Sequence, residues 1–275
     1  MQVSVELVAF DLDGTILEAD GSVAPECAAM IKKASASGIA CVTASGRSVD
    51  FQTRLLTRSG LMSCFDALIC DERWVFLNTA DGDRHAAGRD DGAETLTPLQ
   101  PWNTEVRDRW AALDPLALQW ATRMRDRAAA QGWSCEINDR DNSIARGLRS
   151  VTFSMDREVE TLVDWLAPQL ATGPLACNRN GRIAHIYDKG CDKGSTLQAL
   201  LGQQRYQDLG PAAILAIGDG INDRPMLDGR HGFAAATVVN AEPAVKSWVR
   251  TAGGMITDGE RGVGVARILA DVLAS

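Results

Sequence analysis

The sequence has no Cys-x-x-Cys pair among its seven cysteines (Cys27, Cys41, Cys64, Cys70, Cys135, Cys177, Cys191), and its three histidines (His85, His185, His231) stand far apart. Neither a zinc site nor a disulfide framework is indicated, so the thiols read as small core residues. No uninterrupted apolar run is long enough to cross a bilayer, and the first residues, Met1-Gln-Val-Ser-Val-Glu6, lack the basic segment of a secretory signal. A cytoplasmic location with no membrane partner is the expectation. A basic excess is missing too: 28 Lys and Arg face 36 Asp and Glu, a net charge of −8, which argues against a nucleic-acid or anionic-membrane ligand. No internal repeat or low-complexity segment is evident. What is present is a chain of 275 residues, 45% hydrophobic, enough for one large domain or two of ordinary size.

From Val5 an apolar run of strand-like composition ends in Asp11-Leu-Asp13, and Gly14 releases the chain into a turn. Side chains alternate along a strand, so Asp11 and Asp13 are expected on one side, two carboxylates close together. A cation between them would relieve their repulsion, and oxygen-only ligands at the mouth of a sheet suit Mg²⁺.

Next come a helix over 24–37, started by Pro25 and stopped by Gly38, a strand over 39–43 closing at Ser45-Gly46-Arg47, a helix over 49–59, a strand over 67–70 and a hairpin-like strand over 74–77. Strand, helix, strand implies a parallel pair with a right-handed crossover. From Thr79 the chain turns polar and glycine-rich, as a linker does. It leads into a region holding five of the seven tryptophans (Trp102, Trp110, Trp120, Trp133, Trp165). There the pattern predicts helices over 115–131 and 158–170 and strands over 133–137, 143–145, 150–154 and 175–178. These make an inserted α+β domain, with 181–188 carrying the chain back. Alternation then resumes: helix 193–201, strand 212–217, helix 222–228, short strands 232–236 and 254–257, and a closing helix 263–273. The expected class is α/β, with a core in two parts (1–84 and 183–275) around an insertion (85–182).

Three polar turns fall at the carboxyl ends of separate apolar strands: Asp11/Asp13, Ser45-Gly46-Arg47, and Gly218-Asp219-Gly-Ile-Asn222-Asp223. In an open α/β sheet, ligands bind along that edge. Lys193 opens a helix whose first amides favour anions. Singly, each has a bland reading: an Asp/Gly turn, a Ser/Gly turn, a helix cap with a solvated side chain at Asp219 and Asp223. Lys189 also competes with Lys193. Together they suit phosphoryl transfer to a carboxylate, in which an aspartate attacks phosphorus while a divalent ion and fixed donors absorb the phosphoryl charge.

In order and spacing, Asp11-Leu-Asp-Gly-Thr15, Ser45-Gly-Arg47, Lys193-Gly and Gly218-Asp-Gly-Ile-Asn-Asp223 resemble the four signatures of the haloacid-dehalogenase-like (HAD) phosphohydrolases. The insertion is similar in place and element order to their type IIB (C2B) cap, the arrangement of Cof-type and sucrose-phosphatase-like sugar phosphatases. The resemblance implies a Rossmann-like core and an Mg²⁺-dependent phosphatase of a small phosphate monoester, a sugar phosphate or a glycosyl-phosphoglycerate. Asp11 is then nucleophile and metal ligand. Asp13 is general acid and base and lends its backbone carbonyl to the metal. Ser45 and Lys193 hold phosphoryl oxygens, with Leu12, Gly46, Arg47 and Asn222 beside them. Asp219 ligates the metal, and Asp223 orients it directly or through water. The partner is a small-molecule phosphate ester, the assembly a monomer or homodimer, and the cap, through residues such as Arg146, Arg149 or a tryptophan, chooses the substrate. For the tryptophans, ordinary core packing is the default.

Two features depart from the pattern. Many relatives carry Asn-Gly after the third strand, where this chain has Asp71-Glu-Arg73, in a loop that faces the substrate in the resembling enzymes. Pro225 is similar to the glycosyl-phosphoglycerate phosphatases, whereas Ser45-Gly-Arg47 is similar to the Cof-type branch. Other readings fare worse. An EF-hand needs Gly and a carboxylate where Ile16 and Ser22 stand. A dinucleotide fold needs its glycine fingerprint at the first strand, not Gly218-Asp-Gly-Ile-Asn-Asp223 late in the chain. A phosphosugar mutase of the phosphomannomutase type is the nearer rival, and a non-catalytic phosphosugar-binding module the more distant one.

Overall fold

The structure, a computed structural model, describes residues 4–78 and 96–274. Its elements begin with β1 (Leu7–Phe10), α1 (Pro25–Ala36), β2 (Ala40–Ala44), α2 (Val49–Arg58), β3 (Ala67–Cys70), β4 (Trp74–Asn78) and β5 (Leu96–Pro98). There follow α3 (Trp102–Ala130), β6 (Cys135–Ile137), α4 (Arg140–Arg146), β7 (Leu148–Phe153), α5 (Asp156–Leu170), β8 (Leu175–Asn180) and β9 (Ile183–Asp188). The chain ends with α6 (Lys193–Leu201), β10 (Ile214–Ile217), α7 (Arg224–Leu227), β11 (Ala234–Thr237), α8 (Pro243–Thr251), β12 (Met255–Ile256) and α9 (Arg261–Ala274). Two compact units result: Met1–Gln100 with Lys193–Ser275, and Pro101–Asp192.

The first unit is built on a sheet of strand order β12-β11-β10-β1-β2-β3-β4-β5. It is parallel from β12 to β3, and at one edge β4 pairs antiparallel with both β3 and β5. Leu7, Val8, Ala9 and Phe10 are all fully buried, as a strand covered on both faces requires. That explains why β1 reads as a continuous apolar run rather than an alternating one. With β10 and β2 as its neighbours, the three polar turns of the sequence lie at the same end of three adjacent parallel strands.

The second unit carries an antiparallel sheet of order β6-β7-β9-β8. Its core joins Trp110, Ala117, Ala121, Met124 and Ala128 of α3 to Val159, Leu162 and Leu166 of α5 and to Val151 and Ile186 of the sheet. Trp110 is buried there and donates its Nε1–H to Ser143 O at 3.0 Å, which is the core packing expected of a tryptophan.

Several expectations need correction. The helix expected from Pro115 starts at Trp102 and runs through the proline. Pro115 lacks an N–H and crowds the preceding turn, yet the buried positions 106, 110, 117, 121, 124 and 128 keep helical spacing on both sides of it, so packing outweighs the break. The strand expected over 143–145 is α4. Asp139 caps it by accepting from Asn142 N at 2.6 Å, and Gly147, at φ 68°, stops it. The return segment 181–188 is a strand: β9 pairs with both β7 and β8. Because β5 extends the large sheet and β9 the small one, the second unit spans 101–192 rather than the expected 85–182. The linker reading at 79–95 lies outside the described residues. Among the described residues, no helix is long and apolar enough to cross a membrane.

Candidate active site

Asp11 continues the β1 ladder by one step, its N–H donating to Ile217 O at 2.9 Å, and its carboxyl is buried at the end of the strand. The chain then curls back on Leu12, whose carbonyl accepts from the amides of Thr15, Ile16 and Leu17. Gly14 takes a left-handed φ of 78°, and a Cβ there would overlap the Asp219 carboxylate. Glycine is therefore what lets the first turn and the turn after β10 meet. Thr15 completes the join by donating its hydroxyl to Asp219 Oδ1 at 3.2 Å.

Lys193, the first residue of α6, is fully buried. Its Nζ lies 2.7 Å from Asp11 Oδ1 and 2.6 Å from Asp223 Oδ1. The other Asp223 oxygen accepts from the amides of Asp219 and Gly220, both at 2.9 Å. Lys189 is no rival, because its Nζ donates to Ala171 O within the second unit. Asp11, Asp219 and Asp223 each offer an oxygen within 4.8 Å of the others. Burial, then the Asp223 charge, raises the Asp11 carboxyl well above its ordinary range despite Lys193. Burial and Asp223 likewise push Asp219 up to about 7. For Lys193 burial alone acts downward, but Asp11, Asp223 and Glu72 reverse it and hold the ammonium above its usual range.

The Ser45–Arg47 turn is fixed from behind. Buried Gln52 donates Nε2–H to Arg47 O at 2.9 Å and Ile69 O at 3.0 Å, and Thr43 donates to its Oε1 at 2.5 Å. Ser45 is buried, and its Oγ accepts from Arg47 N at 3.2 Å. Asn222 Nδ2 donates to Glu72 Oε1 at 2.8 Å.

Asp13 corrects the first expectation. The β1 ladder gives out after the Asp11 amide, and Asp13 is not among the carboxylates that gather around Asp11. The Asp13 carboxylate instead takes a two-pronged pair with Arg47, Nε at 2.8 Å and Nη2 at 2.6 Å, with the side chains 38% and 47% exposed. Among the described residues, the carboxylates close enough together to hold a metal ion are those of Asp11, Asp219 and Asp223. Sequence reasoning missed three supporting residues: Thr15, Gln52 and Glu72. Thr15 had a signal, as the last residue of the first motif, and Glu72 stood in the loop marked as a departure. Nothing in the pattern around Gln52 set it apart from other polar residues of α2.

Residues 8–70 and 103–269 match the haloacid dehalogenase-like hydrolase family. The fold is shared with sucrose-phosphatase from Synechocystis, solved with sucrose and phosphate, at 16% identity and TM-score 0.66, covering 99% of this chain and 98% of that one. A phosphatase of the haloalkanoate superfamily from Bacteroides thetaiotaomicron gives 16% identity and 0.63, over 99% and 96%. A haloacid dehalogenase-like hydrolase from B. subtilis gives 15% identity and 0.61, over 97% and 99%. A search of curated proteins found no match. The matched residues include Asp11, Lys193 and Asp223, whose side chains meet in the site, and this chain belongs to the haloacid dehalogenase-like hydrolases.

Proposed function

We propose that the protein is an Mg²⁺-dependent phosphatase of small phosphate monoesters, a sugar phosphate or glycosyl-phosphoglycerate, working through an aspartyl phosphate on Asp11. The observation that carries this reading is the buried contact of Asp11 with Lys193 inside a ring of acids. The donor set fits a hard divalent cation. Asp11, Asp219 and Asp223, all buried or nearly so, face the cation Lys193, and the two surplus negative charges match one such ion. Oxygen-only ligands suit Mg²⁺. Asp11 and Asp219 would hold it, with Asp223, whose oxygens already serve Lys193 and two amides, orienting that pair. When bound, the ion neutralises the charge of the phosphoryl group.

In this reading the Asp11 carboxylate attacks phosphorus, and the leaving alkoxide departs with a proton. Water then attacks the phosphoryl-Asp11 bond, releasing phosphate and restoring the carboxylate. Lys193 Nζ, Ser45 Oγ, Asn222 Nδ2 and the Leu12–Gly14 and Gly46 backbone are the donors for phosphoryl oxygens. Asp13 supplies and later removes the proton, which requires it to exchange Arg47 for the reacting oxygen. The test is hydrolysis of p-nitrophenyl phosphate with Mg²⁺, and its loss in Asp11→Asn. Equal rates in wild type and variant refute the nucleophile. Phosphate release without a bisphosphate activator separates hydrolysis from mutase chemistry.

A further inference from the structure

The hairpin between β3 and β4 is built against ordinary preference. Its central residues, Asp71 and Glu72, both take left-handed φ angles, 47° and 68°, and Arg73 N closes the turn on Cys70 O at 3.0 Å. Such a turn favours Asn-Gly or Asp-Gly, because a side chain at its second central position is strained. Here that position carries glutamate, only 1% exposed.

The strain is held by contacts to the site. Asp71 N donates to Arg47 O at 3.0 Å and Glu72 N to Ser45 O at 2.9 Å, so the turn clamps the Ser45–Arg47 segment. Thr196, one turn into α6 from Lys193, donates its hydroxyl to Glu72 O at 3.0 Å. The side chain itself accepts from Asn222 Nδ2 at 2.8 Å, and its Oε1 lies 3.6 Å from where a Gly46 Cβ would stand. Arg73, at 3.7 Å from the other oxygen, is beyond hydrogen-bond range. A residue kept in an unfavourable backbone region by surroundings that over-determine it is a functional device more often than a framework one.

We propose that Glu72 is a positioning residue for the phosphoryl site: through its hydrogen bond to Asn222 it fixes that amide, and through its backbone it locks the Ser45 and α6 segments around it. This rests on the phosphatase reading for what the site binds. The alternative, a carboxylate that acts only by its charge, has the opposite sign. Deleting a negative charge next to an anion site tightens anion binding, whereas losing the positioning bond weakens it. Glutamine separates the two, because it deletes the charge and keeps an oxygen to accept from Asn222.

The experiment compares wild type, Glu72→Ala and Glu72→Gln. It measures kcat and KM for p-nitrophenyl phosphate with Mg²⁺, and the affinity for inorganic phosphate by calorimetry. Alanine lowers kcat at least tenfold and weakens phosphate at least fivefold. Glutamine recovers both to within threefold of wild type. If alanine does not fold, Glu72→Gly, suited to the left-handed turn, replaces it with the same expectation. Equal behaviour of the alanine (or glycine) and glutamine variants overturns the proposal, as does tighter phosphate binding in both. A wild type that binds phosphate without turning over any ester sinks the phosphatase reading alone, and phosphate affinity then decides for Glu72. A wild type that neither binds nor turns over sinks both.

Discussion

Lys193 Nζ reaches Asp11 Oδ1 at 2.7 Å across a sequence separation of 182 residues, with no solvent exposure of the lysine. A buried ammonium needs such partners, since an isolated charge in the interior shifts its pKa and neutralises instead. The pairing therefore binds the two parts of the first unit together as well as preparing the site.

Replacing Lys193 by Met leaves Asp11 and Asp223 facing each other without their cation. Breaking a buried pair by removing one partner costs about 3–5 kcal/mol, so the urea midpoint in EDTA falls sharply. Activity falls by at least about 10²-fold, the scale of losing one charged donor to a developing phosphoryl charge. Saturating Mg²⁺ restores part of the stability, since a ligand that binds only the folded state stabilises it, and none of the activity. A variant as stable in EDTA as wild type would show that the lysine is not carrying the acids' charge.

The acid cluster also sets a pH dependence. Asp219 titrates at about 7 in the folded protein against an ordinary 3.8, so between those values the folded state binds more protons than the unfolded one. Stability from this group is then highest at low pH and falls as pH rises through the window, on the order of a few kcal/mol in all. Urea midpoints in EDTA are accordingly expected to drop from pH 5.5 to pH 8. Added Mg²⁺ recovers more at pH 8, where no proton competes for the carboxylates. Asp219→Asn flattens the EDTA slope. An unchanged slope in that variant assigns the titration elsewhere.

Asp13 and Arg47 make the opposite case, a pair at the rim with both side chains more than a third exposed. Exposed pairs contribute about 1 kcal/mol or less, so Asp13→Asn and Arg47→Ala leave the urea midpoint nearly unchanged. Asp13→Asn nonetheless lowers kcat by about 10²-fold or more, the worth of a positioned general acid and base. Stability and turnover measured on the same preparation check this, and an active Asp13→Asn removes Asp13 from the chemistry.

What the sequence revealed follows from where local chemistry decides. The strand at 67–70 and the helix at 193–201 were legible to the residue, because a bounded apolar run and the cap-like Asp192-Lys-Gly start are local signals. Asp11, Lys193, Asp219 and Asp223 were named because each stands at the end of a legible strand or the start of a legible helix. Asp13 was misplaced by extending strand alternation past Phe10, where the Leu12 turn already governs the backbone. Glu72 depends on its contacts with Ser45, Thr196 and Asn222, which are distant in sequence. Short α4 was hidden because its few residues carry no apolar period, only the Asp139 cap and the Gly147 stop.

In the second unit, Arg149 is one of the residues, with Arg146 or a tryptophan, expected to choose the substrate, yet it is 2% exposed and its Nη2 meets Asp114 Oδ1 at 2.5 Å while Nη1 donates to Asn138 O at 3.0 Å. The same Asp114 oxygen accepts from Ser143 Oγ at 2.6 Å, which ties α3 to α4. These contacts make Arg149 part of the framework. Arg149→Met strands a buried carboxylate and lowers stability by roughly 3–5 kcal/mol, whereas Asp114→Leu with Arg149→Met, which removes both charges, recovers most of it. At a temperature where the single variant is still folded, kcat/KM stays within about twofold of wild type, as expected for a residue that touches no reacting group. A selective rise in KM for one phosphate ester, with stability intact, would instead return Arg149 to the role of reading substrate.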